Sequence, residues 1–486
     1  MTQSTTNFPV APTKYTAKTK LFPFQRESVE RAKQMNKGRC FLAHEQGLGK
    51  TLMAITFIIE TNSFPAVVIC PRILKDIWAQ EFKTHYGKEV TILKGTKPPV
   101  APLPDDNDRV YIINYDIVHA WEEKLLELRP KILILDECQK VKNHATRWTR
   151  SCNAIARATD KFLALSGTPM TSKPTDLYMG LFMITKGHII SRAKFRDRYT
   201  LWRQDRYGEH IIGPKNAEEL HRELRKNYMI RYKIDDVIKD LPKYTRQTTL
   251  VEMTPREKSE YTKIRHDFEN WLRENYPDRY IPRSDMGQVL QQFQAMRIRI
   301  AEWKVPCIQL LLDNFLESND GKIVTFGLHH KLLDRVASIY ERQNKPNEPL
   351  LVRIDGRTPQ RNRIKAVDDF QKGPARVFLG QMETTGLGLT LTAAHHCLFT
   401  ELDFMPANHL QAEARVRRIG TKAAYLNYNY IVMKDTIDET IANRLFHRQQ
   451  AINQVIDGMT EENEPQSDNL NVLGGVLHEQ FGYTLA

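Results

Sequence analysis

Residues 44–51 read His44-Glu45-Gln46-Gly47-Leu48-Gly49-Lys50-Thr51 and form the most informative stretch of this chain. The pattern matches a phosphate-binding loop, in which backbone N–H groups face phosphate oxygens, the lysine reaches the β- and γ-phosphates, and the next hydroxyl reaches Mg²⁺. Its one departure is His44, since the strict pattern has glycine there. The stretch therefore predicts an ATP site with Mg²⁺, against the alternative of a chance glycine-rich turn. The residues predicted to hold the nucleotide are Gln46, Gly47, Leu48, Gly49, Lys50, Thr51 and Leu52.

The residues on both sides of this loop predict a strand and a helix. Residues 39–43 form a short apolar run, and residues 52–59 can form a buried helix whose N-terminus lies under the phosphates. Similar apolar runs follow at residues 66–71, 110–115, 131–135 and 161–165. Strands that alternate with helices predict a doubly wound parallel sheet, in which ligands bind at the carboxyl ends of the strands.

An acidic pair, Asp136-Glu137, follows directly after one of these runs. One carboxylate can hold Mg²⁺ through water, and its neighbour can orient and deprotonate the water that attacks the γ-phosphate. The alternative is an acidic pair that only stabilises a helix N-terminus. In a chain that already carries a phosphate loop, the pair is predicted to be catalytic together with Lys50, and Thr51 and Asp136 are predicted to hold the metal.

Two further polar sites stand beside the predicted strands. Gln25 precedes the phosphate loop, and its amide can donate to and accept from the edge of adenine. An ordinary glutamine at a helix start is the alternative. Ser166 and Thr168 follow the run at residues 161–165, where small hydroxylated side chains can link the hydrolysis site to a bound strand; a simple turn is the alternative.

The second half of the chain has a different pattern. From about residue 175 to 300, basic and aromatic residues are frequent and helical periodicity replaces buried strands, which predicts a basic helical insertion. A second α/β domain is predicted from apolar runs at residues 322–326, 350–354, 375–379 and 397–400. Its Arg415 and Arg418 are three residues apart and so share one face of a predicted helix. They are predicted to be arginine fingers for the γ-phosphate; a basic helix facing DNA or solvent is the alternative.

Composition limits the class of protein. Among 486 residues, 71 Lys and Arg against 58 Asp and Glu give a net charge of +13, which favours a polyanionic partner such as nucleic acid. No apolar run approaches the ~18 residues that span a bilayer, and the first residues lack the apolar core of a secretion signal. The six cysteines are far apart, which favours reduced thiols. A soluble protein of a reducing compartment, with no membrane partner, is predicted.

The ordered motifs of the chain resemble those of a known family. LFPFQ, HEQGLGKT, VVICP, DECQKVKN, LSGTPMTSKPTDL, DGRT, METTGLGLTLTAA and QAEARVRRIG occur in this order between residues 21 and 445. The set resembles the ATPase motor of helicase superfamily two, and GLGKT and QAEARVRRIG resemble in particular its Swi/Snf-type DNA translocases. LTLTAA and FTELDF are most similar to the annealing-helicase, HARP-like branch.

The resemblance implies two RecA-like, doubly wound parallel-sheet lobes with a helical insertion between them. The expected organisation is a disordered N-terminal tail (1–20), an ATP-binding lobe (21–185), a basic helical insertion (186–304), a second lobe (305–448) and an acidic C-terminal tail (449–486). Since the chain has no Lys or Arg after Arg448, this last segment is expected to be a disordered tail; recruitment of a protein partner is the alternative.

The resemblance also implies roles for single residues. Gln25 and Gln411 would contact the nucleotide. The residues expected to follow the DNA backbone are Pro71, Asn114, Ser166, Thr168, Phe326, Gly356, Thr384 and Thr385. The departures from the family are His44 in place of an acid, Cys138-Gln139 in place of Ala-His, Ala414 in place of Asp and Thr421 in place of Gln. Gln139 in place of His is expected to weaken the coupling between hydrolysis and DNA.

The expected function is that of a monomeric, ATP-dependent and sequence-independent translocase on double-stranded DNA. It would remodel or anneal forked DNA, or displace bound protein, in DNA repair or recombination. The alternatives are an RNA-polymerase-displacing motor, a nucleotide-gated DNA clamp that does not move, and a strand-separating DNA or RNA helicase. A compact motor without recognisable accessory domains is typical of a bacterial or viral origin, with a cytoplasmic, nucleoid-associated location.

Overall fold

The computed structural model of this protein describes most of the chain in two compact units. The described residues are 15–104, 108–205, 208–239, 241–345, 348–385, 389–418, 420–421, 423–459 and 472–485. The first unit comprises the residues up to Met170, Pro174–Arg196 and Glu218–Val237. The second unit comprises Thr171–Lys173, Asp197–Ala217 and the residues from Ile238 onward.

The strands and α-helices are numbered in chain order. The strands are β1 (Arg39–Leu42), β2 (Ala66–Cys70), β3 (Thr91–Ile92), β4 (Val110–Asn114), β5 (Ile132–Asp136), β6 (Lys161–Leu165), β7 (Thr200–Asp205), β8 (Gly208–Pro214), β9 (Met229–Ile230), β10 (Lys243–Val251), β11 (Tyr280–Ile281), β12 (Lys322–Gly327), β13 (Leu351–Ile354), β14 (Val377–Gln381), β15 (Ala394–Phe399), β16 (Tyr425–Met433) and β17 (Thr484–Leu485). The helices are α1 (Pro23–Gln34), α2 (Lys50–Glu60), α3 (Lys75–Tyr86), α4 (Tyr115–Glu127), α5 (Arg147–Ala158), α6 (Tyr178–Ile184), α7 (Arg192–Tyr199), α8 (Ala217–Glu223), α9 (Ile234–Val237), α10 (Pro255–Asn275), α11 (Met286–Trp303), α12 (Val305–Ser318), α13 (His330–Tyr340), α14 (Gln360–Gln371), α15 (Met382–Thr385), α16 (Pro406–Val416), α17 (Ile437–Asp457) and α18 (Val472–Phe481).

The first unit is built on a seven-stranded sheet in which all neighbouring strands run parallel. The strand order is β3-β4-β2-β5-β6-β1-β9. Strands β1, β2, β4 and β5 are buried along their whole length, as continuous apolar runs are when helices cover both faces of a parallel sheet. The predicted doubly wound parallel sheet is confirmed, and its strands occupy the predicted runs.

The second unit contains a six-stranded parallel sheet with the order β10-β16-β15-β12-β14-β13. The four apolar runs predicted for this domain form β12, β13, β14 and β15. Two of its strands were not predicted. β16 alternates apolar and polar residues, and β10 is an edge strand with exposed residues on both faces, so neither shows the continuous apolar run of a buried strand.

The predicted helical insertion at residues 186–304 does not form a separate body. Residues up to Arg196 and Glu218–Val237 belong to the first unit, and Asp197–Ala217 and the residues from Ile238 belong to the second. The insertion also contains an antiparallel hairpin of β7 and β8. The sequence-based boundary at residue 305 differs from the observed division because β10, near the middle of the predicted insertion, completes the second sheet.

Four helices of the second unit, α10, α11, α17 and α18, form what we call the helical cluster. Its core is made mainly of large apolar side chains, among them Phe268, Phe293 and Ile441. Helix α18 contributes Val472, Leu473, Val476 and Leu477, all buried, and β17 pairs in parallel with β11. The helical cluster therefore joins residues from the predicted insertion and from the predicted tail in one core.

The predicted tails differ from the described structure at both ends. Residues 15–20 of the N-terminal tail contact helix α3, where Lys18 N–H donates to the His85 carbonyl at 2.8 Å; residues 1–14 lie outside the described residues. At the other end, helix α17 extends to Asp457, and residues 472–485 pack in the helical cluster. Their apolar side chains, rather than the acidic residues around them, determine this packing; residues 460–471 lie outside the described residues.

Replacing Leu477 by alanine is expected to lower the free energy of unfolding of the second unit by about 2–5 kcal/mol, because the side chain is fully buried in the helical cluster. The matched control is His478→Ala, which changes an exposed neighbour and should stay within about 0.5 kcal/mol of the unmodified protein. Urea denaturation followed by fluorescence measures both. Equal stability of the two variants would show that α18 does not contribute to this core.

Two general expectations can be compared with the described residues. All six cysteines are free, and five of them are buried, which agrees with their predicted place in the core. Within the described part of the chain, no helix is both long and apolar enough to cross a membrane.

Candidate active site

The parallel strands of the first unit bring most of the predicted site residues of that unit to one edge of the sheet. The phosphate loop follows β1, Pro71 follows β2, Asn114 ends β4 and Asp136 ends β5. Ser166 follows β6. Because all of these strands run in one direction, their carboxyl ends meet at a single edge, which is where ligands bind in such sheets.

The phosphate loop passes directly into helix α2, which begins at Lys50. Gly47 and Gly49 have φ angles of 82° and 77°, a left-handed conformation that glycine adopts without strain. The Lys50 ammonium donates to the carbonyls of His44 at 2.8 Å and Glu45 at 3.1 Å. Lys50 is therefore folded over its own loop, at the N-terminus of α2, where an anion is favoured.

Gln25 is buried against this loop. Its Nε2 donates to the Leu48 carbonyl at 3.1 Å, and its Oε1 accepts from the Phe22 N–H at 3.0 Å. A Cβ at Gly49 would lie 2.5 Å from Gln25 Nε2, so a side chain there would displace the Gln25 amide, and the φ of 77° favours glycine in addition. The geometry places Gln25 beside the loop, and its contact with adenine stays a prediction.

His44, the departure from the strict loop pattern, is fully buried in the first unit. Its Nδ1 accepts from the Tyr232 N–H at 3.0 Å, and its ring stacks on the Tyr232 ring at a centroid distance of 5.4 Å. Burial, followed by the positive charges of Lys50 and Arg231, holds the pKa of His44 well below its usual value. The imidazole is therefore neutral and structural, and it fastens the phosphate loop to the segment that begins with β9.

The same segment contributes Arg231, which sequence reasoning did not single out. Its guanidinium is buried and donates to the Ala43 carbonyl at 2.7 Å and the Gly167 carbonyl at 3.2 Å. These carbonyls precede the phosphate loop and follow Ser166, respectively. Gln46 lies beside the same turn, since a Cβ at Gly167 would be 2.5 Å from Gln46 Cγ. Its amide atoms are buried, without a hydrogen-bond partner among the described residues.

The acidic pair is held by its neighbours at the end of β5. Asp136 Oδ1 accepts from the Glu137 N–H at 3.0 Å, and Oδ2 accepts from the Trp78 indole N–H at 2.8 Å. Burial, followed by the charge of Glu137, raises the pKa of Asp136 to about 7; a cation at this carboxylate would favour its charged form. Trp78 is another contact that the sequence did not reveal, since a buried tryptophan on a helix is indistinguishable from core.

Glu137 has a φ of 52°, an unusual conformation for a residue with a side chain that costs about 1 kcal/mol or more. Its Oε2 accepts from Gln139 Nε2 at 2.7 Å. Gln139 Oε1 accepts from the Ser166 hydroxyl at 2.7 Å, and Ser166 Oγ accepts from the Thr168 N–H at 3.0 Å. A continuous chain of hydrogen bonds thus joins Glu137 to the loop after β6, through Gln139.

The donors present fit the predicted metal. Mg²⁺ takes oxygen ligands and is commonly held by one or two protein groups together with phosphates. Each Asp136 oxygen accepts one protein hydrogen bond and keeps a lone pair, and the Thr51 hydroxyl stands one residue after Lys50. The described residues contain no group of three or more His, Cys, Asp or Glu side chains placed to hold a metal ion.

All four residues of the first unit that were predicted to follow DNA, Pro71, Asn114, Ser166 and Thr168, are buried. Asn114 accepts at Oδ1 from Lys75 Nζ at 3.0 Å and donates from Nδ2 to Asp116 at 2.9 Å, and Pro71 is also buried. Both sit at the functional edge of the sheet, but the polar groups of Asn114 are engaged within the protein.

The second unit brings together Gly356 and Thr384. The Gly356 N–H and the Thr384 hydroxyl both donate to Gln381 Oε1, at 3.0 and 3.1 Å, so Gln381, which was not predicted, joins them. Phe326 is fully buried against Phe399, with ring centroids 5.4 Å apart, and its side chain packs the core. Thr385 ends α15, and its side chain lies outside the described part of the chain.

The two predicted arginine fingers do not share a helical face. Helix α16 ends at Val416, and Arg417 has an extended backbone with φ −91° and ψ 93°, so Arg418 lies beyond the helix. The guanidiniums nevertheless contact adjacent residues: Arg415 donates to the Leu389 carbonyl at 3.5 Å and Arg418 to Thr390 Oγ1 at 3.1 Å. The prediction of a shared helix face is therefore wrong, while the proximity of both side chains to residues 389–390 is observed. Gln411, predicted to contact the nucleotide, is buried within α16.

Two parallel α/β sheets, one of which carries a phosphate loop and an acidic pair at its carboxyl edge, define the class of helicase-like P-loop ATPases. Comparison with protein families matches the SNF2-related domain to residues 24–297 and the helicase conserved C-terminal domain to residues 304–420. The chain belongs to the SNF2-related family of DNA-dependent ATPases, whose nucleotide is ATP. The resemblance inferred from the sequence motifs is confirmed.

Curated relatives cover most of this chain. The SWI/SNF-related matrix-associated actin-dependent regulator of chromatin subfamily A-like protein 1 homolog of Caenorhabditis elegans is 28% identical over 90% of this chain and 62% of the relative. The DNA annealing helicase and endonuclease ZRANB3 of Mus musculus is 26% identical over 93% of this chain and 42% of the relative. The chain thus spans about half the length of these relatives.

Among solved structures, the Sulfolobus solfataricus SWI2/SNF2 ATPase core in complex with dsDNA is 20% identical. It matches 93% of this chain and 96% of its own length with a TM-score of 0.41.

Proposed function

We propose that this protein is an ATP-dependent translocase on double-stranded DNA that remodels or anneals forked DNA or displaces bound protein. The observation that carries the proposal is the hydrogen-bonded chain from Glu137 through Gln139 to Ser166 and Thr168. It connects the group assigned to water activation with the loop assigned to the DNA backbone. A change in that loop on binding DNA would therefore alter the position of Glu137.

The proposed chemistry follows from the first unit. Lys50 and the N–H groups of the loop would neutralise the phosphates, Thr51 and Asp136 would hold Mg²⁺, and Glu137 would take the proton of the attacking water. Arg415 and Arg418 would add positive charge at the γ-phosphate in the transition state. Repeated binding, hydrolysis and release would move the protein along one strand.

The proposed DNA binding is independent of sequence. Support comes from the net charge of +13 and from the annealing helicase among the relatives. Contacts to phosphates dominate such binding and make it sensitive to salt. We further propose that the protein acts as a monomer, and that any protein partner binds near the acidic segment after Arg448.

The test is steady-state ATP hydrolysis without nucleic acid and with single-stranded DNA, duplex DNA, forked DNA or RNA. We expect at least tenfold stimulation by duplex or forked DNA, and displacement of a triplex-forming strand in the same buffer. Stimulation by single strands or RNA alone would favour a strand-separating helicase. Tight ATP-dependent binding without triplex displacement would favour a clamp, and stimulation only by a stalled RNA polymerase would favour the polymerase-displacing motor.

A further inference from the structure

Helix α16, which carries Arg415, is held by the edge strand β10 through an ion pair. The Glu413 carboxylate is 5% exposed and accepts two hydrogen bonds from Arg246, from Nε at 2.7 Å and from a terminal nitrogen at 2.6 Å. The Tyr430 hydroxyl donates to the same carboxylate at 2.7 Å. A two-pronged contact of this kind fixes direction as well as distance, so Arg246 sets both for Glu413.

A second contact between β10 and the arginine-rich segment involves Tyr244. The Arg417 guanidinium lies over the Tyr244 ring at 4.7 Å, and its Nε donates to the Pro242 carbonyl at 3.0 Å. Arg246 lies over the same ring at 4.9 Å. A guanidinium over the face of a tyrosine ring is attracted to that ring electrostatically. Residues of β10 therefore contact Glu413 and Arg417. These two residues lie on either side of Arg415, and Arg417 is next to Arg418.

Strand β10, which makes these contacts, contributes little to the core. β10 pairs with β16 over its full length, from Lys243 beside Tyr425 to Val251 beside Met433. Most of its residues are nevertheless exposed, including Leu250 at 54%. Side chains two residues apart point to the same face of a strand, and this places Tyr244 and Arg246 together towards α16.

The orientation of Arg418 depends in part on these contacts of Arg417. The helix ends at Val416 and the backbone at Arg417 is extended, so helical hydrogen bonds do not determine where Arg418 points. The anchoring of Arg417 on Tyr244 and Pro242 fixes the chain immediately before Arg418, and the Arg418 N–H donates to the Thr421 hydroxyl at 3.0 Å. Displacement of a catalytic group by about 1 Å can cost roughly a hundredfold in rate.

We propose that Tyr244 and Arg246 are positioning residues that hold the Glu413–Arg418 segment so that Arg415 and Arg418 are aligned for the γ-phosphate. The inference rests on the proposed ATPase function and on the finger role of these two arginines. It adds that the strand leading into the second sheet, and not only the helix, determines their alignment.

The test uses the full chain and compares Arg246→Lys, Tyr244→Leu, Arg418→Ala and the two double variants with Arg418→Ala. Arg246→Lys keeps the charge and loses the planar fork. Thr245→Ala, an exposed change on the same strand, is the matched control. We measure kcat, the KM for ATP, the affinity for ADP with aluminium fluoride, and the midpoint of thermal unfolding.

We expect Arg246→Lys and Tyr244→Leu each to lower kcat roughly tenfold or more and to weaken aluminium fluoride binding, with KM within about twofold of the unmodified value. Each double variant should be slower than Arg418→Ala by a smaller factor than the single variant loses, because only Arg415 is left for Tyr244 and Arg246 to position. A residue with only a structural role would multiply the two losses and lower the unfolding midpoint.

The outcomes separate this inference from the proposed function. If Arg418→Ala lowers kcat while Arg246→Lys and Tyr244→Leu do not, or if the losses multiply, the positioning role is overturned and the finger role stands. If Arg418→Ala itself leaves kcat unchanged, the finger role fails and the positioning role fails with it. Should Arg246→Lys not fold, Tyr244→Leu, which leaves the Arg246–Glu413 pair intact, decides by itself.

Discussion

Replacing Lys50 by alanine is expected to lower kcat for ATP hydrolysis by at least about a hundredfold, in the presence or absence of DNA. The ammonium, now bound to the carbonyls of His44 and Glu45, would turn to the β- and γ-phosphates when ATP binds. Loss of one charged contact to the transition state typically costs this much. Release of phosphate measured at saturating ATP gives the result.

The control for this prediction is Lys131→Ala, the removal of an exposed lysine from the same unit. DNA binding without nucleotide should be nearly the same in both variants, since the Lys50 ammonium is folded over the phosphate loop at the N-terminus of α2. Turnover of Lys50→Ala near that of Lys131→Ala would remove the phosphate loop from the mechanism.

Changing Glu137 to glutamine should give a protein that binds ATP and hydrolyses it roughly a hundred to ten thousand times more slowly, the range expected when a general base is lost. The amide oxygen of the new side chain can still accept from Gln139, so the hydrogen-bonded chain to Ser166 survives while the base is removed. Single-turnover hydrolysis and nucleotide binding, measured separately, distinguish the two steps.

Glu123→Gln, the same chemical change at an exposed position of α4, is the matched control. Product release by Glu137→Gln at the rate of this control would contradict the role of Glu137 towards water. Weak ATP binding by Glu137→Gln would instead assign the carboxylate to the metal.

The buried parts of this protein could be predicted well from the sequence. The strands β1, β2, β4, β5 and β6 are short, continuous apolar runs, and such runs have few alternatives to a buried parallel strand when they alternate with helices. The phosphate loop could be located because its glycines and lysine must occupy fixed positions relative to the helix that follows.

The contacts that support the site could not be predicted in the same way. Trp78 and Tyr232 reach Asp136 and His44 from distant parts of the chain, and their sequence context is that of ordinary core residues. The contacts of Trp78 with Asp136 and of Tyr232 with His44 can be recognised only once the fold shows which residues lie side by side. The roles of the contacted residues are assigned by resemblance and are tested by the variants described above.

Strand β10 and the end of α16 show a different difficulty. The Thr, Arg and Gln residues of β10 have no apolar alternation because the strand is an edge with exposed faces. The spacing of Arg415 and Arg418 fits a helix, but the helix stops between them at Val416. The local sequence pattern does not show that β10 is an edge strand or that α16 ends at Val416, since segments distant in sequence determine both features.

The pairing of Tyr280 with Thr484 has a consequence for the order in which this chain folds on the ribosome. Helices α10 and α11 are made before α18 and β17, which supply part of the apolar surface that covers them in the helical cluster. At ordinary synthesis rates, the interval between the two is on the order of ten seconds. During that interval the apolar surface of α10 and α11 is uncovered and open to aggregation, which makes a holding chaperone useful to the nascent chain. Contacts between residues so distant in sequence also make folding slow.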